Sequence, residues 1–421
     1  MLTIIFSTLP FFVAICWLGV YIIDYRDHKR EKKIFAYLLG TFAAMYLAHA
    51  TFYLGEREIF TVLESVYAYC YLAVYPLGYL YIKALTDARP LRKRDFAIMA
   101  IPAIVFVWSV ISYLAMGSDR VLYINYYFFN EGPEPERTPA IYMQFARVTV
   151  SRIIFGLQIL LVIIYGNRNL NSFKKRVSDF YSNVDGRDLR SIRVFIRILW
   201  GYSVIALIAG IVGRSFIILP TWALVSSSLI FSSLLYGLCY AVRNEKFSAD
   251  RFEQEASEEA GPESEELDAS AAAPDTATPS PAAPDSSSPS PAAAASNPES
   301  ELPSSVTDHY AWIGPALDAL MTSQELFRNN DLLITDVAKM LGSNRTYVST
   351  YLNKELGMSF SEYINGFRVE YAKRLLDGGN SMNMTEISEQ AGFASEASFY
   401  RVFKRVTGQT PNAYRCSRTS D

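Results

Sequence analysis

Long apolar runs alternate with short polar stretches over the first 245 positions. The alternation is far coarser than the period of a strand or of an amphipathic helix. Each run supplies the roughly 20 residues that a helix needs to cross a bilayer core. The pattern predicts seven spans, over residues 2–23, 34–54, 59–85, 96–116, 142–165, 194–217 and 221–240. No basic residue precedes the first run and a basic stretch follows it, the reverse of a secretory leader. Pro76 lies inside the third run and predicts a kink there. The sixth run is interrupted by Arg197 and Arg214, near its ends, where long side chains can snorkel.

The pattern changes at about residue 246. Acidic residues come first, then a stretch of Ala, Pro, Ser and Asp that runs to 305. Such a segment cannot bury enough apolar area to offset the entropy of ordering it, which predicts a disordered linker. A flexible coil of that length spans about 40–45 Å r.m.s..

From 306 onwards a helical period takes over. Trp312, Leu317, Leu320, Met321 and Phe327 predict an entry helix, and two helix-turn-helix units follow, at 334–356 and 385–408. In the first, Thr335 is placed to cap a helix with Ile334, Val337, Ala338 and Leu341 inward. Gly342 makes the turn, and Ser343 caps a second helix with Val348, Leu352 and Leu356 inward. A connecting helix is predicted over 360–376. In the second unit Thr385 is placed to cap a helix carrying Ile387 and Ala391. Gly392 supplies a turn that a β-carbon would crowd, and Ser395 caps a helix with Phe399, Val402, Phe403 and Val406 at helical spacing. Gly408 ends that helix and Pro411 prevents its early resumption. The expected fold is all-α: a seven-helix transmembrane bundle (1–245) read as a sensor domain, a disordered linker (246–305) and an all-helical DNA-binding domain (306–421).

The outward positions give that last domain its reading. Arg345, Thr346, Ser349, Thr350 and Asn353 face out from the first unit, and Glu396, Tyr400, Arg401, Lys404 and Arg405 from the second. A short helix, buried on one side and basic on the other across a Gly turn, is the arrangement that enters a DNA major groove. Periodicity alone also fits a helical hairpin with a solvated charged face.

The literal residues separate the two readings. Gly392-Phe393, Ser398-Phe399, Arg401, Phe403-Lys404, Gly408, Thr410-Pro411 and Tyr414-Arg415 resemble the second helix-turn-helix of the AraC/XylS family of transcription regulators. LGSNRTYVSTYLNKELGMSF resembles the family's first motif, and FSEYINGFRVEYAKRLL its connecting helix. Ser388 stands where the family usually has Ala. The resemblance covers the last quarter of the chain, and the apolar bundle stands where the family commonly has a soluble sensing domain. It implies that the two motifs lie at opposite ends of the connecting helix and enter successive major grooves about 34 Å apart. Within that frame the candidate base contacts are Arg345, Thr346, Ser349, Asn353, Glu396, Ala397, Tyr400 and Arg401. Lys354, Lys404, Arg405 and Arg415 are candidate phosphate contacts.

Charge adds orientation. Arg26, Lys29, Arg30, Lys32 and Lys33 follow the first span, Arg89, Arg92, Lys93 and Arg94 the third, and Arg168, Lys174, Lys175, Arg176, Arg187, Arg190 and Arg193 the fifth. The intervening loops hold Arg57, Arg120 and Arg137. By the positive-inside rule this puts the N-terminus outside and, with seven spans, the C-terminal domain in the cytoplasm, as expected of a multi-pass protein of the inner (cytoplasmic) membrane. The overall charge of −3 averages three unlike regions. Residues 306–421 hold about as many acids as bases, which predicts modest non-specific DNA affinity and reliance on dimerisation or tandem sites.

Charges inside a membrane are costly, so those within the spans are functional candidates. His49, Glu64, Arg147, Arg152 and Arg214, with Tyr46, Tyr53 and Tyr67, are expected to line a sensor pocket open to the outside. A structural ion pair such as Glu64 with Arg152 is the competing reading. The aromatic loop with Tyr123, Tyr126, Tyr127, Phe128 and Phe129 is expected at the membrane interface, with a ligand lid as the alternative. Cys16, Cys70, Cys239 and Cys416 have no metal or disulfide spacing. The sequence shows no nucleophile motif, Gly-rich phosphate loop or internal transporter repeat, so neither an enzyme nor a cofactor is expected. The expected partners are double-stranded DNA, the lipid bilayer, an extracytoplasmic ligand or protein, and a second copy of the chain. The other function class is a transporter or membrane enzyme with a fused DNA-binding reporter domain.

Overall fold

The computed structural model describes residues 2–23, 30–204 apart from Ser191, Phe195, Leu199 and Tyr202, 221–258 apart from Lys246, 312–378 and 382–419. Among the described residues every named element is helical. The chain divides into two compact units, Met1–Lys174 with Gly186–Glu253, and Lys175–Asp185 with Gln254–Asp421.

The first unit is built from α1 (Leu2–Ile23), α2 (Arg30–Leu54), α3 (Arg57–Thr86), α4 (Ala100–Met116), the short α5 (Asp119–Ile124), most of α6 (Pro139–Phe180) and α7 (Thr221–Asn244). α1 packs on α2 and α7, α2 on α3, and α3 on α4. Among the described residues six helices are long and apolar enough to cross a membrane: Leu2–Ile23, Arg30–Leu54, Arg57–Thr86, Lys93–Met116, Pro139–Phe180 and Leu224–Glu258. They match the expected spans other than the sixth. That one, at 194–217, lies mostly outside the described residues, as does Arg214. Phe12, Ile104, Val107, Leu114, Ile153 and Leu157 are exposed on these helices, a surface suited to lipid rather than water.

Two features of this unit depart from the sequence reading. The basic stretch after the fifth apolar run is not a loop at first, because α6 continues through Arg168, Lys174 and Lys175 to Phe180. Leu170, Phe173, Val177 and Phe180 are all buried there. Their spacing of three and four residues extends the helical stripe past the apolar run. The aromatic loop is also more closely packed than the pattern foretells, whichever side of it faces a membrane interface. Tyr123 is buried, and Tyr127, Phe128 and Phe129 pack with Phe52, Phe60, Tyr113 and Phe145 into one cluster. α5 and the π turn Asn125–Phe129 fold the loop back against α3, which turns these rings inward.

The second unit contains α8 (Ile313–Ser323), α9 (Ile334–Met340), α10 (Arg345–Thr350), α11 (Phe360–Asp377), α12 (Met384–Gln390), α13 (Glu396–Thr407) and α14 (Pro411–Thr419). α11 is capped by Ser359, whose hydroxyl oxygen accepts from the Glu362 N–H while the Glu362 carboxylate accepts from the Ser359 N–H. Its later turns supply Val369, Ala372 and Leu376 to a core completed by Ile387, Phe393, Phe399, Val402, Phe403 and Tyr414. Its first turns face the other way: the Tyr363 hydroxyl donates to Asp318 of α8 at 2.7 Å. Burial and the Asp318 carboxylate both hold the Tyr363 phenol well above its ordinary range.

The caps correct the sequence reading. Asn383, not Thr385, caps α12, and its side chain accepts from the Glu386 N–H at 2.8 Å. Asn344, not Ser343, caps α10. Thr335 is buried one residue inside α9, whose N-cap is Leu333. In each motif the apolar stripe begins a residue or two away from the predicted cap, so the first available hydroxyl was not the cap. Leu356 and Val406, expected inward, are exposed, since each closes its helix beyond the packed turns. Pro411 opens α14, where proline's missing N–H is harmless at the first helical position.

Candidate nucleic-acid interface

Each motif turns on a glycine in the left-handed region, Gly342 at φ 60° and Gly392 at φ 80°. Gly392 is doubly constrained. A β-carbon there would lie 2.5 Å from the Phe327 carbonyl oxygen and 2.7 Å from that of Arg328. The close approach seats the second motif on the segment that leads into the first.

Burial of Val348 and Leu352 fixes which side of the first recognition helix is free. Arg345 and Thr346 are exposed at its start, and the Thr346 N–H is held by Asn344 Oδ1 at 2.7 Å. Beyond Thr350 the helix widens into a π turn, Tyr351–Glu355. Such turns are rare and are frequent at functional sites. Asn353 falls within it, half-buried, and Asn353 Nδ2 donates to the carbonyl of the half-buried Ser349 at 3.0 Å. Lys354 is exposed beside them.

In the second motif Phe399, Val402 and Phe403 are buried, and Glu396, Ala397, Arg401, Lys404 and Arg405 are exposed. Ser395 caps α13 through the Ser398 N–H, as expected. Glu396 accepts from the Thr385 hydroxyl at 2.6 Å, which ties the two helices of the motif together. The half-buried Tyr400 accepts from Asn412 of α14 at 2.9 Å. Arg415 is half-buried and donates to the Met382 carbonyl at 2.8 Å, so it braces the fold as well as lying near the surface.

A residue absent from the sequence reading joins the motifs. Arg368 of α11 is 1 % exposed. Its Nε donates to the Phe327 carbonyl at 2.7 Å and its Nη2 to that of Asn329 at 2.8 Å. Burial brings its guanidinium down to about 10. The same guanidinium donates from Nη2 to Ser182 Oγ at 3.1 Å, a residue of the Lys175–Asp185 segment in this unit. Nearby, Arg401 pairs with Asp185, the Arg345 guanidinium lies 5.8 Å from the centre of the Phe180 ring, and Asp179 lies close to Asn353. Burial lifts the Asp179 carboxyl above its usual range, and the neighbouring Asn353 partly offsets the rise.

The expected sensor residues separate. Glu64 and Arg147 form a buried ion pair at 2.6 Å. Gln144 Oε1 accepts from Arg147 at 3.0 Å and Ser109 donates to Glu64 at 3.3 Å. The partner of Glu64 is therefore Arg147 rather than Arg152, which is exposed. His49 sits instead against Tyr46 and Tyr53, with ring centroids 5.9 and 4.8 Å away. A cavity of about 590 Å³ in the first unit is lined by Tyr21, Lys32, Lys33, Tyr37 and Tyr69 among others, and His49, Glu64, Arg147 and Arg152 are not among its described lining residues. Cys70 and Cys239 are buried, and Cys16 and Cys416 exposed.

Residues 337–417 match the model of a helix-turn-helix domain family. An uncharacterized HTH-type transcriptional regulator of Staphylococcus aureus is 37% identical over 94 residues, which is 22% of this chain and 12% of that protein. The HTH-type regulator YtdP of Bacillus subtilis is 34% identical over 91 residues, again 22% and 12%. The chain thus spans about an eighth of the length of the curated relatives it matches. The C-terminal domain of the response regulator AraT from Geobacillus stearothermophilus matches 25% of this chain and 86% of its own, at 31% identity and a TM-score of 0.23. The matched residues contain α9 to α13 almost entirely, with both glycine turns.

Proposed function

We propose, taking as premise the AraC-type helix-turn-helix domain at its C-terminus, that this chain is a membrane-anchored, sequence-specific transcription regulator that couples an extracytoplasmic cue to promoter binding. One observation carries the DNA-reading part. α10 and α13 each present an exposed arginine, Arg345 at the start of the one and Arg401 midway along the other, and the second motif is packed on α11. α11 is about 27 Å long at 1.5 Å per residue, and motifs set toward its two ends would enter successive major grooves on one face of a duplex, about 34 Å apart. Arg345 and Arg401 suit guanine, Asn353 suits adenine, and each good pairing contributes about 1–3 kcal/mol of discrimination. Lys354, Lys404, Arg405 and Arg415 serve the phosphates.

The anchoring part rests on the apolar helices and their lipid-suited surface. The domain hangs in the cytoplasm from a linker shorter than the expected 246–305, since 249–258 are helical with Phe252 and Ala256 buried, and pairing of two bundles raises the local concentration of readers. The buried Glu64–Arg147 pair is the polar feature within the spans on which a cue would act.

Two measurements test this. Chromatin immunoprecipitation of the full chain should give discrete peaks that vanish in the Arg345→Ala/Arg401→Ala variant; peaks that survive it remove the assigned readers. Cys416, an exposed thiol of the C-terminal domain, should react with a membrane-impermeant maleimide only after cells are permeabilised. Labelling in intact cells would put the domain outside and end the proposal.

A further inference from the structure

Three of the residues proposed to read DNA, Arg345, Asn353 and Arg401, lie against another stretch of the chain itself while keeping part of their surface exposed. Lys175–Asp185, the end of α6 and the turn after it, belongs to the same compact unit as the DNA-binding domain. At its centre Ser182 is 0 % exposed. Its N–H donates to the Leu332 carbonyl at 3.1 Å and its carbonyl accepts from Ser361 Oγ at 3.0 Å. The Arg368 guanidinium reaches both Ser182 oxygens, Oγ at 3.1 Å and the carbonyl at 3.4 Å. Tyr181 forms an antiparallel bridge with Leu333. This is a made-to-measure seat rather than a glancing contact, because a buried arginine, the Leu332 carbonyl and the Ser361 hydroxyl all hydrogen-bond to it.

Around the seat, residues of the segment engage readers in both motifs. The Asp185 carboxylate pairs with Arg401. Asp179 stands beside Asn353, whose side-chain amide is hydrogen-bonded to Ser349. The Phe180 ring lies under the Arg345 guanidinium. A carboxylate offers arginine the same planar pair of acceptors that a guanine edge or a phosphate offers. Asp179 and Asp185 also place negative charge where phosphates would have to come.

We infer that the DNA-binding domain carries a docking site for residues 179–185 of its own chain, and that this segment and duplex DNA compete for the domain. The inference rests on the DNA-reading assignment above. Release of the segment frees Arg345, Asn353 and Arg401 together. Because the segment continues α6, it gives the apolar part of the chain a route to the readers that does not pass through the linker.

The test uses the full chain in lipid nanodiscs and a pool of random-sequence duplexes enriched on the wild-type protein. Asp179→Asn/Asp185→Asn removes two partly exposed contacts, each of about 0.5 kcal/mol, and should raise duplex affinity about fivefold. Ser182→Arg sets a like charge against Arg368 and should raise it further. A Ser182→Cys/Ser361→Cys pair, with Cys416→Ser, touches no proposed reader. Oxidised, it should bind duplex at least about tenfold more weakly than after reduction with dithiothreitol. A cross-link that fails to form in membranes, or that leaves duplex binding unchanged, overturns the docking site, as do acidic-residue variants with wild-type affinity. If neither the wild type nor any variant enriches a duplex, the DNA-reading assignment falls and takes the docking site with it.

Discussion

Single residues decide how firmly the second motif is held to the first. Gly392 combines a left-handed backbone with a carbonyl 2.5 Å from where a β-carbon would stand. Gly392→Ala should lower the stability of the C-terminal unit by about 2–4 kcal/mol from backbone strain and overpacking. Faster hydrogen exchange at Phe399 and Phe403 would show it, and unchanged exchange would contradict it. Arg368→Met leaves the Phe327 and Asn329 carbonyls without their donor, a loss of about 3 kcal/mol by the same readout. The first of these constraints is legible in the sequence, since a glycine before a buried aromatic between two helical stripes demands a turn. The second was overlooked although a signal exists. Arg368 sits at steps of four from Ile364, Ala372 and Leu376, all buried, so it lies on the apolar stripe of α11. A charge on such a stripe marks a buried network, but its partners, carbonyls and a distant serine, leave no trace in the sequence pattern.

At the scale of elements, the periodic pattern predicts which helices exist better than where they start or stop. The apolar runs foretell α1 to the residue and α3 to within two residues, because polar flanks mark both ends, whereas α7 runs four residues past its apolar run. The caps were harder, since Asn383, Met384 and Thr385 lie together and only the backbone turn decides which side chain accepts. Asn383→Ala should therefore destabilise the C-terminal unit by about 1 kcal/mol, visible as faster exchange in α12. Thr385→Ala should instead loosen its 2.6 Å contact to Glu396 without unwinding that helix. If the two substitutions fray α12 equally, the cap is misassigned. The π turn after Thr350 has no counterpart in the pattern, because one extra residue per turn is too small a slip for a stripe of two buried positions to register.

For the molecule as a whole, the division into an apolar part and a helical C-terminal domain is written in composition alone, whereas the partners of the loop after α6 are not. No hydropathy rule says that Ser182 ends under Arg368 rather than in water. The balanced charge of the C-terminal domain carries a quantitative expectation. With Lys354, Lys404, Arg405 and Arg415 on phosphates, the slope of log affinity against log salt should be about −3.6. Lys404→Ala should make it shallower by about 1 while leaving sequence preference intact. A change of preferred sequence in that variant would move Lys404 from the backbone to the bases.

The grip of Arg368 on Ser182 also bears on what a protease can accomplish. Scission anywhere between 259 and 305 divides the polypeptide, yet both fragments keep the guanidinium, the serine oxygens and the Tyr181–Leu333 rung that join them. A nicked molecule would stay assembled, like a cut rope still knotted farther along, and would reach the nucleoid only when that knot is undone as well.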